Sequence, residues 1–116
     1  MLDGFYVGYM SADGYGVVLF VFRGPSIVGV DAGGVKFDGS YAQDSTSRSF
    51  KGKITVKAPP NIDLVQGINT GPEGLTYEVP FSMPENFLEA PFIRVDTPFG
   101  PVNIKLEKLR DLGDVA

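Results

Sequence analysis

Hydrophobic and polar positions alternate along most of this chain, which is the pattern of strands rather than helices. Asp3 to Met10 reads as a first strand, with Phe5, Val7 and Tyr9 on one face and Tyr6, Gly8 and Met10 on the other. Ser11-Ala12-Asp13-Gly14 then supplies a hairpin turn, because Asp and Gly both tolerate the backbone that tight turns need. The second strand, Tyr15 to Phe22, breaks the alternation: it carries no charge and is apolar on both faces. One face can line a core; the other calls for a cover of its own. A two- or four-residue loop would put Phe5, Val7 and Tyr9 beside Val18, Phe20 and Phe22. That set is bulkier and is predicted to lie inside. Tyr6, Met10, Val17, Leu19 and Val21 are then predicted to face outward as a contiguous apolar patch, a candidate dimer surface. The alternatives are swapped faces, or a sandwich that covers both.

Later strands alternate more cleanly. After the turn Arg23–Ser26, Ile27 to Val30 is a short third strand. In the fourth, Val35, Phe37, Gly39 and Tyr41 point inward and Lys36, Asp38 and Ser40 outward. Ala42 to Ser47 is a polar loop, and Phe50, Gly52, Ile54 and Val56 form the inner face of the fifth strand, opposite Lys51, Lys53, Thr55 and Lys57. Pro59-Pro60 stops that strand, since proline cannot donate to a ladder. The connection to Gly74 carries enough apolar residues, Ile62, Leu64, Val65 and Ile68, to pack down. Leu75 to Met83 is the sixth strand, with Pro80 on its outer face marking an edge or bulge. Ser82-Met83-Pro84-Glu85 has capping-box spacing and predicts one helical turn over Pro84–Leu88, with Phe87 and Leu88 closing an open end of the sheet. Phe92–Asp96 and a strand marked by Val102, Ile104 and Leu106 complete the set, and residues 110–116 are expected to fray.

The expected fold is therefore all-β: one domain over residues 1–116, an eight-stranded antiparallel up-and-down barrel with one short helical turn. A two-sheet sandwich is the rival. Almost every inward position is apolar, so a cavity would be greasy. Its predicted lining is Phe5, Val7, Val18, Phe20, Phe37, Phe50, Ile54, Tyr77, Val79 and Phe81, which suits a small apolar molecule such as a lipid or fatty acid.

Composition narrows the chemistry. The 116 residues include no histidine, cysteine or tryptophan, so the commonest general base, thiol chemistry and thiolate metal sites are all absent. Gly14-x-Gly16 lacks the rest of a dinucleotide loop, and Gly52-Lys53 lacks that of a phosphate loop. Asp31, Asp38 and Asp44 read as solvated carboxylates, and Lys36, Lys51, Lys53 and Lys57 as a charged outer face. No catalytic residue, metal ligand or cofactor is assigned. A formal net charge of −4 argues against direct contact with nucleic acid. No signal peptide and no membrane-length apolar run is visible, so the expected compartment is the cytoplasm, without membrane insertion.

Four short motifs in order carry a resemblance: Asp3-Gly4-Phe5-Tyr6, Gly14-Tyr15-Gly16-Val17, Val28-Gly29-Val30-Asp31 and Phe37-Asp38-Gly39-Ser40-Tyr41. Over Asp3 to Tyr41 the chain resembles the GrlR-like family, named for a bacterial negative regulator of type III secretion gene expression; beyond that the likeness is architectural. The resemblance implies a lipocalin-like barrel with an apolar cavity. It also implies a cytoplasmic homodimer that acts as a repressor by binding protein, in the best-known member a transcriptional activator. That member's partner loop is strongly acidic. The matching residues here, Gln43, Asp44, Ser45, Thr46 and Arg48, hold one acid and one base, so the partner role of the loop does not transfer directly.

Overall fold

A computed structural model describes residues 2–113. Its elements are β1 (Gly4–Ser11), β2 (Tyr15–Arg23), β3 (Ser26–Asp31), β4 (Lys36–Asp44), β5 (Ser49–Ala58), β6 (Leu75–Pro84), β7 (Ile93–Thr97) and β8 (Gly100–Asp111). All pair antiparallel in one sheet of order β6-β5-β4-β3-β2-β1-β8-β7. The two end strands, β6 and β7, come close to one another without a ladder, so the sheet curls into a nearly closed up-and-down barrel. Full closure would remove both edges; here Pro80 and Pro84 blunt the edge of β6, and β7 is five residues long.

The β4, β5 and β6 faces lie as their alternation predicts, with Val56, Val79 and Met83 buried and Lys36, Lys51, Lys53 and Lys57 exposed. The β1–β2 hairpin does not. Ser11 pairs with Tyr15, leaving the three-residue loop Ala12–Gly14. An odd loop inverts the facing that an even one gives. Tyr6 therefore pairs with Phe20, Gly8 with Val18 and Met10 with Gly16, and this set points inward. Tyr6 is 1% exposed, and Met10 is buried with it in the main core cluster. Phe5, Val7 and Tyr9 pair with Val21, Leu19 and Val17 and point outward.

The bulk criterion failed because the barrel interior is narrow. Phe20 fits only because glycines flank it: a Cβ on Gly29 would lie 2.6 Å from Phe20 Cδ1, and one on Gly8 would lie 3.0 Å from Phe20 Cε2. Small residues on the inner face are thus a packing requirement, not a sign of exposure.

Two connections fold over the barrel ends. After Pro84 the chain makes consecutive turns rather than a helix, with Phe87 N–H donating to the Pro84 carbonyl (3.0 Å) and Ala90 N–H to that of Phe87 (3.3 Å). Phe87 plugs the end as predicted, 2% exposed, while Leu88 stays on the surface. Lys105 Nζ ties this segment down by donating to the carbonyls of Leu88 (2.9 Å) and Ala90 (2.6 Å). At the other end, residues 59–74 fold over the opening. Gly14 N–H donates to the Val65 carbonyl (2.8 Å), and a Cβ on Gly16 would sit 2.9 Å from Val65 Cγ1. Arg110 and Asp111 belong to β8 rather than to a frayed tail, and residues 114–116 lie outside the described residues.

Candidate functional site

Two surfaces stand out, one inside the barrel and one outside. Inside is a cavity of about 530 Å³ bounded by all eight strands and the 59–74 loop. Phe20, Phe37, Ile54, Tyr77, Val79 and Phe81 line it, as expected from the sequence. Phe5 and Val7 do not, because β1 presents its other face. Val18 is fully buried in the wall, and Phe50 lies below the cavity in its floor.

That floor is a run of aromatic contacts. Phe22 meets Tyr6 (centroids 4.7 Å apart) and Tyr41 (5.8 Å). Phe50 meets Tyr41 (6.0 Å) and Phe87 (6.1 Å), mostly tilted or edge-on, as ring quadrupoles favour. The Tyr6 hydroxyl donates to the Leu2 carbonyl at 2.7 Å, so its polar end is satisfied. Burial pushes the Tyr6 phenol above its ordinary pKa, with nearby Lys108 pulling the other way.

The opposite end is the mouth, and it is polar. Gln66 Nε2, from the capping loop, donates to Tyr77 Oη on β6 and Thr97 Oγ1 on β7, both at 3.2 Å. One amide thus bridges the seam that the backbone leaves unladdered. Tyr77 also packs edge-on against Phe99 (5.0 Å), and burial raises its phenol pKa. Asp31 and Asp63 complete the rim: Asp31 Oδ1 accepts from the N–H groups of Gly33 and Val35 (both 2.9 Å), and Asp63 Oδ1 from Asn69 Nδ2 (2.9 Å). None of the lining residues is Lys or Arg.

Outside, β1, β2 and β3 carry an apolar face. Cross-strand rows run Phe5–Val21–Val28 and Val7–Leu19–Val30, with Tyr9–Val17 beside them. Leu19 is 46% exposed, and Val17, Val28 and Val30 are also exposed. Charge borders the face on both sides. Val28 and Val30 pair with Asp38 and Lys36 on β4, while Val7 and Tyr9 pair with Glu107 and Lys105 on β8. The sequence-predicted dimer residues Val17, Leu19 and Val21 are here, but Tyr6 and Met10 are in the core. Phe5, Val7 and Tyr9 take their place, and Val28 and Val30 extend the face. The alternation Ile27-Val28-Gly29-Val30 was the signal for these last two.

The β4–β5 hairpin is less available than the sequence implied. Gln43 and Asp44 are strand residues. Gln43 Nε2 donates to Glu85 Oε2 (2.7 Å), and Asp44 pairs with Lys51 (3.2 Å) while Asp44 Oδ1 accepts from the Thr46 N–H (3.1 Å). The hydrogen bond from Lys51, together with those from Ser47, holds the Asp44 carboxyl below its ordinary pKa. Ser45, Thr46 and Arg48 are exposed at the tip. Of the lysine stripe, Lys53 pairs with Glu78 (3.6 Å). Among the described residues no group of three or more acidic side chains could hold a metal ion, and no helix is long and apolar enough to cross a membrane. Comparison with protein-family models, curated proteins and solved structures returns no match to the chain.

Proposed function

We propose that this chain is a non-enzymatic, cytoplasmic regulatory protein of GrlR-like kind that acts by binding protein, and that it works as a two-fold dimer through the outer face of β1, β2 and β3. The observation that carries this reading is the exposed apolar face bordered by charge. An apolar centre inside a polar rim is how protein interfaces are built. Tyr9, Val17, Leu19, Val28 and Val30 are all exposed on this face, and the largest apolar patch on a monomer, typically about 300–600 Å², is often functional. A standard interface buries about 800 Å² per partner, so the rim residues Lys36, Asp38, Lys105 and Glu107 would supply the rest. A two-fold axis near Leu19 sets the face against its own copy. Size-exclusion chromatography with light scattering tests this: a dimer at micromolar concentration is expected, and a strict monomer removes the claim. The regulated partner, on this reading an activator-like DNA-binding protein, would meet the exposed hairpin tip at Ser45, Thr46 and Arg48. Affinity purification from the native host, with wild type and a tip-substituted variant, should recover such a protein with the first and lose it with the second.

The cavity favours a second reading, a carrier of a small apolar ligand. Its volume of about 530 Å³ falls within the range of small-molecule sites, and its walls are nearly all apolar. Native mass spectrometry tests it. A co-purifying or exchangeable ligand supports the carrier; the bare polypeptide mass after incubation with apolar ligands counts against it.

A further inference from the structure

We infer that the barrel takes a single-chain amphiphile with an uncharged, hydroxyl- or amide-type head, chain inward and head at the Gln66–Tyr77 mouth, and discriminates against fatty-acid anions. The inference rests on the carrier reading of the cavity and goes beyond it by assigning the head group.

The hydrogen-bond inventory of the mouth decides the matter. Both hydrogens of Gln66 Nε2 are taken, one by Tyr77 Oη and one by Thr97 Oγ1. The Thr97 hydroxyl hydrogen goes to the Gly100 carbonyl (2.7 Å), and its oxygen also accepts from the Phe99 N–H (3.1 Å). Among the side chains of the Gln66–Tyr77–Thr97 cluster, two groups stay available. Tyr77 accepts from Gln66 and keeps its own O–H to donate. Gln66 keeps Oε1 to accept. One donor beside one acceptor complements a hydroxyl or a primary amide, each of which both donates and accepts. A carboxylate accepts only. In this cluster it would find one donor, would face Gln66 Oε1 as a repulsive neighbour, and would share the rim with the carboxylates of Asp31 and Asp63, with no Lys or Arg in the lining to neutralise it; Arg94, which shares a neighbouring pocket with Gln66, is already paired with Asp96 (3.1 Å). Burial favours the neutral Tyr77 phenol, which keeps its donor in place at ordinary pH.

The test uses displacement of the uncharged fluorophore N-phenylnaphthylamine from the full chain by decanol and by decanoate, both below their aggregation limits. Decanol is expected to displace the probe at concentrations about tenfold lower or better, since it makes a hydrogen bond that decanoate cannot and escapes the charge repulsion. Equal displacement overturns the head-group assignment while leaving the carrier reading intact. Failure of the fluorophore and of both ligands to bind overturns the carrier reading, and the inference with it. Tyr77→Phe keeps the ring against Phe99 and removes the hydroxyl, both the free donor and the acceptor that Gln66 Nε2 uses; it should narrow the preference, and an unchanged ratio locates the head elsewhere. Gln66→Lys places a cation at the mouth and should turn the preference toward decanoate. A folded Gln66→Lys protein that still prefers decanol contradicts the proposed position.

Discussion

Neighbouring residues on one strand should behave oppositely when replaced by aspartate. Leu19 is 46% exposed and Val18 0% exposed, so Leu19→Asp alters a surface and Val18→Asp alters the core. In the monomer Leu19 has already left half its surface in water, and its carboxylate replacement would be hydrated. The fold should lose no more than about 1 kcal/mol, mainly from poorer β propensity beside Val7 and Val30. In the proposed dimer the exposed half would be buried. Full burial of a leucine is worth about 2 kcal/mol, so half is about 1 kcal/mol per protomer, doubled by the two-fold axis. Two carboxylates brought together without partners add roughly another 2 kcal/mol. A total of about 4 kcal/mol raises the dimer Kd roughly a thousandfold. Sedimentation across a concentration series, with circular dichroism on the same samples, should find Leu19→Asp folded and monomeric and Val18→Asp unfolded. The reasoning is refuted if Leu19→Asp unfolds the chain, or if it stays folded with the wild-type dimer constant.

Other perturbations probe the barrel itself. Phe87→Ala removes the plug from the aromatic floor and should cost about 3–5 kcal/mol in urea unfolding, the range for buried aromatics. Gly29→Val forces a side chain into the ring of Phe20 and should destabilise by at least 1–3 kcal/mol, visible as a lower urea midpoint at unchanged slope. Burial raises the folded-state pKa of Tyr6, Tyr41 and Tyr77 above the ordinary value of 10.0. Their neutral forms therefore support the fold fully below pH 10.0, and that support is lost as pH climbs through the folded-state values. Phenolate absorbance should rise late for these three residues and together with loss of structure.

How far the fold could be read depended on how polar each strand's second face was. Lys36, Asp38 and Ser40 on β4, and Lys51, Lys53 and Lys57 on β5, leave one choice of inside, and the cavity residues Phe37, Ile54, Val79 and Phe81 followed from it. On β1 and β2 both faces are apolar, so alternation marks the strands without saying which side is in. Side-chain bulk then misled, because Gly8 and Gly29 make room for Phe20. The parity of the Ala12–Gly14 loop carried the answer, and Asp-Gly alone does not set that parity. The mouth was illegible for another reason. Gln66, Tyr77 and Thr97 are brought together across the β6–β7 seam by a long loop, and nothing in their local sequence indicates that they meet. Val65 was legible as an apolar loop residue that packs down, though its seat over Gly16 was not.

The apolar outer face as a protein contact is tested most directly by position-specific cross-linking, which the cysteine-free chain allows without background. Leu19→Cys puts a thiol at the centre of the face, and Lys53→Cys puts one on the charged face of β5. With a short bismaleimide at micromolar protein, Leu19→Cys should give a covalent dimer in high yield and Lys53→Cys should stay monomeric. Equal yields at the two positions, or none at Leu19→Cys, would contradict the account.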